Sequence, residues 1–509
     1  MAEGNKEQEE VNIVIVPREK HEEEATCVQA KLQELQKLKA FSTYESVPNK
    51  GQTTISTRWV LSRKGDEVKA RLVARGFEDQ EIMRKDAPTV GKSMMRTMIA
   101  IAATNSWSVK TTDIKSAFLQ GRDMEREVYI KPPKEADVEN GMIWKLKKCL
   151  YGLNEAARQF YQSVADCLLS LGCTKSALDP ALFYMKKDGQ LKGIIACHID
   201  DFLHAGDEEF DECMTKMRKQ FLAGKLEMGQ FKYIGFNITQ NDHHIIIDQT
   251  EYVKQLENAT INAQRRSQKS QSLNATESTT LRELVGRLNW VAQGSRPDIF
   301  FEMIELSTRL NKGTVNDLTR AIKAVKNLKE EKAVVMMPKL HKPSNWRLVV
   351  FSDASHANLS DGANSMGAHL VFLTDGDRSC PISWHAGKIK RVVRSTIAAE
   401  TLSLLEAVEN GIYIREHLME LLGLSIPLHA YIDNKSLVEA VHSTKLVDDK
   451  RLRIDMSSLQ ESLSRGEINT IQWIPGDKQL ANCLTKKGAS PYHLLQAMQN
   501  GYIQIPWAE

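Results

Sequence analysis

Six carboxylates lie where the surrounding pattern sends the chain inward. Asp113 falls in the strand-like run KTTDIKSAF, and Asp200 and Asp201 stand side by side in the apolar run GIIACHIDDFLHAG. Two adjacent aspartates inside an apolar strand are costly, because a buried carboxylate loses its hydration and its neighbour repels it. Divalent cations would offset both costs. Consecutive strand residues point to opposite faces, so only one of the pair can aim directly at a shared site. If the pair instead forms a hairpin tip, where Asp-Asp is an ordinary turn sequence, a neighbouring strand carrying Asp113 still completes a cluster. Three more carboxylates follow downstream. Asp353 ends the run LVVFSD and Asp433 ends LHAYID. Glu400 lies three residues after Ile397 and four before Leu404, on the inward face of a helix. An inward glutamate is otherwise a common helix-edge residue, but here the pattern recurs three times in one segment. Two strand-end aspartates and that glutamate can converge on one point. Hard oxygen ligands of this kind suit Mg²⁺ or Mn²⁺. Two such ions are a recurring device for making and breaking phosphodiesters.

The elements that must hold these residues are mixed. Residues 55–75 alternate apolar and polar around Lys64-Gly65-Asp66, which predicts a β-hairpin. From Arg58 to Arg75 it carries six basic and two acidic residues, with Trp59 among them. That face is either merely solvated or grips a phosphate backbone or a triphosphate. A helix is expected from Ser93 to about Asn105, and another over ARQFYQSVADCLLSLG. Residues 264–280, QRRSQKSQSLNATESTT, read as a flexible connector or exposed loop. Beyond them Leu281, Leu284, Val285 and Leu288 form one helical stripe, and Leu318, Ile322, Val325 and Leu328 another. From Trp346 the order β-β-β-α-β-α-β suggests an independent α/β domain. At the other end, Val28, Leu32, Leu35 and Leu38 predict a short amphipathic helix after an acidic, solvated tail.

Composition narrows the class. The chain has 509 residues, 42% hydrophobic and 26% charged, with a net charge of +3. That is an ordinary globular balance of about three domains, and it excludes a mainly disordered or fibrous chain. Local charge, rather than net charge, must decide whether nucleic acid is a partner. No run approaches the ~18 uninterrupted apolar residues of a membrane helix, and the acidic start MAEGNKEQEE is not a secretory signal. Eight scattered cysteines without a C-x-x-C pair support neither a structural zinc site nor a disulfide framework, and suggest a reducing, intracellular setting. Walker, dinucleotide-binding, nucleophile-elbow and H-E-x-x-H motifs do not occur in the sequence.

A series of strings follows in order: RWVLSRKGDEVKARLVARGF, DAPTV, TTDIKSAFLQGRDMEREVYIKPP, IWKLKKCLYGL, HIDDFLHAG, YIGFNI, ELVGRLNWVAQGSRPDI, SDASHA, RSTIAAE, DNKSL and QLANCLTKKG. From about residue 35 to about 490 the chain resembles the reverse transcriptase–ribonuclease H portion of a copia-type LTR retrotransposon Pol polyprotein. The resemblance implies an α+β fold: a right-hand polymerase (fingers, palm, thumb) followed by a ribonuclease H-like α/β domain. It divides the chain into an acidic, disordered tail (1–34), fingers and palm (35–260), a helical thumb or connection (261–340), the ribonuclease H-like domain (345–490) and a C-terminal tail (491–509). It implies RNA-directed DNA polymerase activity with RNA template, DNA primer, RNA–DNA hybrid and deoxynucleoside triphosphates as partners. The implied setting is a cytoplasmic virus-like particle or the nucleus, with no membrane.

The resemblance also assigns roles. Asp113, Asp200 and Asp201 are the palm carboxylates, and Asp353, Glu400 and Asp433 are three of four ribonuclease H carboxylates. Each set is catalytic and metal-binding, with two Mg²⁺ (or Mn²⁺) ions per site. Lys69 and Arg71 match fingers positions that touch the triphosphate. Phe118 matches the bulky residue that excludes a ribose 2′-hydroxyl, and Tyr151-Gly152 match a motif where backbone closely approaches the nucleotide. Three departures stand out. His198 replaces the usual Tyr or Phe two residues before the Asp pair. Asn154-Glu155-Ala156-Ala157 replace Lys-Gln, a small residue and Pro, so that Glu155 puts negative charge near a polyanion. Asn482 replaces the fourth ribonuclease H carboxylate, which implies a weakened nuclease, and Asp477 is unsuited to substitute for it. A non-catalytic nucleic-acid-binding remnant of a retroelement is the alternative.

Overall fold

The computed structural model describes residues 25–505 apart from 65–66, 82, 360–361, 363 and 445–448. Residues 1–24 of the expected acidic tail thus lie outside the described residues. Helix Ala25–Ala40 begins ten residues before the expected boundary at 35. Its buried face is Cys27, Ala30, Lys31, Glu34 and Leu38, whereas Val28 and Leu32, expected to face inward, are 44% and 40% exposed. The helix is turned because its neighbour is polar as well as apolar. Lys31 donates to Glu135 at 2.8 Å, and Trp59 Nε1 donates to the same carboxylate at 2.9 Å.

The basic hairpin forms as expected, with Thr57–Lys64 paired antiparallel to Glu67–Ala74. Beside it a small four-stranded sheet and the indole of Trp144 build a separate core with Leu38, Ile55, Leu72 and Leu150. The main sheet follows. Its strand order is Ala223–Met228, Lys110–Ile114, Asp201–Gly206, Gln190–His198, Leu182–Lys187, Thr174–Lys175. Ile194 to Cys197 and Phe202 to Ala205 are buried without a break. Continuous burial means both faces of the sheet are covered, which is why these strands read as apolar runs rather than alternating ones. The expected helix over residues 93–105 is Lys92–Asn105.

The polar stretch 264–280 is not a loop throughout. Ala263–Ser267 is helical, and Ala275–Gly294 starts within the stretch on a capping box between Asn274 and Glu277. Arg265 locks that box by donating to both oxygens of Glu277 at 2.9 Å. The hydroxyls of Ser278, Thr279 and Thr280 turn back onto carbonyls four residues earlier, so residues that favour turns are accommodated inside a helix. Leu281, Leu284, Val285 and Leu288 are buried as expected, as are Leu318, Val325 and Leu328, with Ile322 half-buried. The segment then closes on strand Val335–Pro338, which pairs with His244–Asp248.

The C-terminal sheet runs Ser379–Lys388, Met366–Thr374, Arg347–Ser355, Leu428–Ile432, Thr470–Trp473, antiparallel in its first half and parallel in its second. Helix Thr396–Leu422 lies across it. Two helices, Lys435–Val441 and Lys450–Ser464, separate the last two strands where one was expected. The expected tail after 490 belongs to the fold. Helix Tyr492–Asn500 buries Leu494, Ala497 and Met498, Ser379 N donates to Gly501 O at 2.8 Å, and Ile503 and Ile505 are buried beyond it. Among the described residues no helix is long and apolar enough to cross a membrane.

One buried guanidinium joins the parts. Arg96, on Lys92–Asn105, is 2% exposed. It donates to Gln293 O and Gly294 O at 2.8 Å, reaches Ile382 O at 3.4 Å, and lies 3.6 Å from the centre of the Trp384 ring. Trp384 Nε1 in turn donates to Ala292 O at 3.0 Å. Sheet helix, 275–294 helix and C-terminal domain therefore meet on one side chain, and burial lowers its pKa. Hydrogen bonds to a charged donor are worth about 1.5–3 kcal/mol each. Arg96→Met should therefore destabilise the chain by about 3 kcal/mol. In thermal unfolding the C-terminal domain should then melt apart from the rest. A variant that melts like the wild type would contradict this.

Candidate active sites

Strands Gln190–His198 and Asp201–Gly206 form a hairpin whose last pair is His198 with Asp201. Ile199 and Asp200 make the two-residue turn, and Ile199 has φ +59°, a left-handed conformation that a β-branched residue resists. The aspartate pair is therefore a hairpin tip, and the neighbouring strand does carry Asp113. Asp201 is in register with Asp113, and Ile114 N donates to Asp200 O at 2.9 Å. Asp113 and Asp200 are exposed, Asp201 half-buried. Burial, with Asp200 and Asp113 adding repulsion, pushes Asp201 up to about 6. Burial also raises Asp200, against the pull of the Arg71 charge.

Gly224 had no place in the sequence argument, yet it stands against this site. It lies on the strand flanking Asp113, at a register shift between Ala223 and Leu226. A Cβ there would overlap the Asp113 carboxylate. A glycine inside a strand pattern was the available signal.

From the fingers side, Lys69 and Arg71 share one exposed face of the basic hairpin. Lys69 lies 3.7 Å from Glu67. Arg71 stands 5.6 Å over the Tyr151 ring, which lies 5.3 Å from the ring of half-buried Phe118. Gly152 has φ +87°, and a Cβ there would strike Ala74 O and Val73. The space left by its missing Cβ is thus filled by the hairpin's own backbone, which Ala74 N ties to Tyr151 O at 2.7 Å.

Glu155 does not face a polyanion. It is 5% exposed and accepts from Arg126 at 2.6 and 2.8 Å, in a cluster with Asp79 and Glu81. It is turned into the fold onto the guanidinium, which corrects the expectation that it faces nucleic acid. His198 is half-buried, its Nδ1 without a partner, and burial lowers its pKa although Asp200 pulls it upward.

The second site is tighter. Asp353 is fully buried in strand Arg347–Ser355, and Asp433 follows the parallel strand Leu428–Ile432. Pairing of Phe351 with Tyr431 brings both aspartates to the same end of the sheet. Glu400, in the first turns of Thr396–Leu422, completes the group. One ligand oxygen from each of the three lies within 4.8 Å of the others. Among the described residues no such grouping includes the three palm carboxylates. Glu400 Oε2 is buried without a hydrogen-bond partner. An orphaned carboxylate oxygen beside two aspartates fits a hard divalent cation. Burial, then Asp353 and Asp433, pushes Glu400 up to about 9.

Two residues that follow strand Thr470–Trp473 enter this cluster. Thr485 Oγ1 donates to Asp353 Oδ2. Lys486 Nζ donates to Asp353 Oδ1 at 3.0 Å and lies 3.6 Å from Asp433. Asn482 donates to Gly476 O and accepts from Lys486. Asp477 is exposed in the preceding turn.

Residues 41–265 match the family described as reverse transcriptase (RNA-dependent DNA polymerase). The chain is 26% identical to the retrovirus-related Pol polyprotein from transposon RE1 of Arabidopsis thaliana, over 85% of this chain and 31% of that one. It is also 26% identical to the corresponding polyprotein from transposon TNT 1-94 of Nicotiana tabacum, over 82% and 33%. The chain therefore spans about a third of the length of these two relatives. A solved structure of a foamy viral protease–reverse transcriptase in complex with double-stranded DNA shares the fold, with a TM-score of 0.53 and 15% identity over 92% of this chain and 73% of that one.

The Glu400 proton has a consequence for stability. Its folded pKa lies above its ordinary value of 4.5. Its contribution is fully present below pH 4.5 and is lost as pH rises toward 9, because the unfolded chain releases the proton and the fold retains it. At pH 8, without divalent ions, Glu400→Gln should therefore be more stable than wild type by on the order of 2 kcal/mol. The gap should shrink toward pH 5. Melting temperatures across that range check this, and a gap independent of pH would contradict it.

Proposed function

We propose that this chain, whose residues 41–265 match the reverse transcriptase family, acts as an RNA-directed DNA polymerase through Asp113, Asp200 and Asp201. The register that sets Asp201 opposite Asp113, with Asp200 at the tip between strands, is the observation that carries this reading. Asp113 and Asp200 are the exposed pair and would hold divalent ions. Bound there, Mg²⁺ or Mn²⁺ would acidify a primer 3′-hydroxyl and balance charge on the triphosphate. Asp201, less exposed, supports the pair from the strand.

The other residues bind and orient. Arg71 lies close enough to act on Asp200 and so presents its charge where a triphosphate would sit. Lys69, on the same hairpin face, extends that charge toward template and primer phosphates. The Phe118 ring, backed by Tyr151, is the flat surface against which a deoxyribose fits and a 2′-hydroxyl does not. The foamy viral neighbour is a complex with double-stranded DNA, which supports a nucleic-acid duplex as the partner here. The C-terminal cluster is read as a ribonuclease H-like site for RNA–DNA hybrid, with Asp353, Glu400 and Asp433 as metal ligands and Asn482 as its weak point.

Primer extension on poly(rA)/oligo(dT) with Mg²⁺ tests the polymerase reading. Wild type should extend the primer, and Asp113→Asn should lose at least about 100-fold in rate while still binding template–primer, since a metal-ion site supplies several kcal/mol to the transition state. In the same assay Phe118→Ala should raise ribonucleotide use relative to deoxyribonucleotide. Wild-type protein that binds template–primer and adds no nucleotide in Mg²⁺ or Mn²⁺ would leave the non-catalytic remnant as the correct reading.

A further inference from the structure

The C-terminal cluster contains a cation of its own. Lys486 ends the short helix Asn482–Thr485 and turns inward. Its ammonium touches three positions: Asp353 Oδ1 at 3.0 Å, Asp433 at 3.6 Å, and the amide oxygen of Asn482. Asp353 has no solvent exposure, so this contact is not a surface ion pair made and lost at little cost. Thr485 takes the other oxygen of Asp353. Glu400 Oε2, the remaining inward oxygen, has no partner. The ammonium thus sits among oxygens that a divalent ion would need, and the neutral amide at 482 accepts a hydrogen bond from it rather than competing for a metal.

We propose that Lys486 is a tethered cation of the C-terminal carboxylate site, held in one cation position so that a divalent ion must displace its ammonium from Asp353 before the site can fill. This rests on the reading of Asp353, Glu400 and Asp433 as a metal site. The flexible four-carbon stem makes such displacement possible, because the ammonium can swing outward to solvent without moving the backbone. The side chain is already 41% exposed. The consequence is a site whose affinity for divalent ions is set by its own lysine as well as by the missing carboxylate.

Mn²⁺ binding to the full chain, followed by the electron paramagnetic resonance of free Mn²⁺, tests this in an Asp113→Asn, Asp200→Asn background that silences the palm. Lys486→Met keeps the length of the stem and removes the charge. It should tighten Mn²⁺ binding by about tenfold or more, as expected when a like charge a few ångströms from the ion is removed. Lys486→Arg should not tighten it. Without metal, Lys486→Met should melt below its parent, because Asp353 is left buried without a counter-charge, and saturating Mn²⁺ should raise its melting temperature more than the parent's. Asp353→Asn separates the two ideas. If that substitution abolishes Mn²⁺ binding while Lys486→Met leaves affinity unchanged or weaker, the metal site stands and the tethered-cation proposal is overturned. If Mn²⁺ binding ignores Asp353 altogether, the metal-site reading falls, and this proposal falls with it.

Discussion

Carboxylates gathered in one place repel one another, and the palm and C-terminal gatherings are each held by a different device. In the palm the backbone does most of the holding. A tight hairpin puts Asp200 at its tip, and antiparallel register sets Asp201 beside Asp113. Asp113 and Asp200 stay exposed, and the flanking strand gives Asp113 its room by having no Cβ at Gly224. In the C-terminal domain Asp353 and Glu400 are buried, Asp433 is half-buried, and the three converge. There Thr485 donates a hydrogen bond to Asp353, and the Lys486 ammonium offsets its charge, which solvent cannot reach. An open arrangement is suited to receive ions together with a mobile substrate. The closed one already carries a counter-cation.

The arms of the fold follow from keeping these places in register with the surfaces that serve them. The basic hairpin reaches the palm through Arg71, Tyr151 and Phe118, a row of contacts that Gly152 makes possible by letting Ala74 approach. Glu155, which looks adverse in the sequence, is absorbed into an internal network around Arg126. At the other end Arg96 anchors the C-terminal sheet to the helices before it. A buried charge with only carbonyls and a ring for company is expensive to hold, so its presence marks a junction that must close in one geometry.

Much of this was legible beforehand, for identifiable reasons. Aspartates in apolar runs stand out against their surroundings, so Asp113, Asp200, Asp353 and Asp433 could be singled out by pattern alone. Strong periodicity likewise marked Leu281 to Leu288 and the hairpin around Gly65. What escaped was whatever depends on a partner distant in sequence. Val28 and Leu32 share helical spacing with Leu35 and Leu38, but the polar partner Glu135 lies a hundred residues away and turns the helix toward Lys31. The capping box at Asn274 hides in a stretch whose composition says loop. Residues after 490 read as a tail because the resemblance stops there, yet they pack on the fold, and Gly501 O accepts from Ser379 N at the edge of the C-terminal sheet. Lys486 passed as one more lysine in a polar run, since nothing local says that its ammonium meets Asp353.

In the proposed division of labour the open carboxylate site works as a polymerase and the closed one is restrained. A hybrid carrying one label on the DNA primer and another on the RNA template reads both sites in a single reaction with the wild-type chain in Mg²⁺. Steady primer extension with little cleavage of the RNA is the expected result. Cleavage as fast as extension, or cleavage without extension, would contradict it.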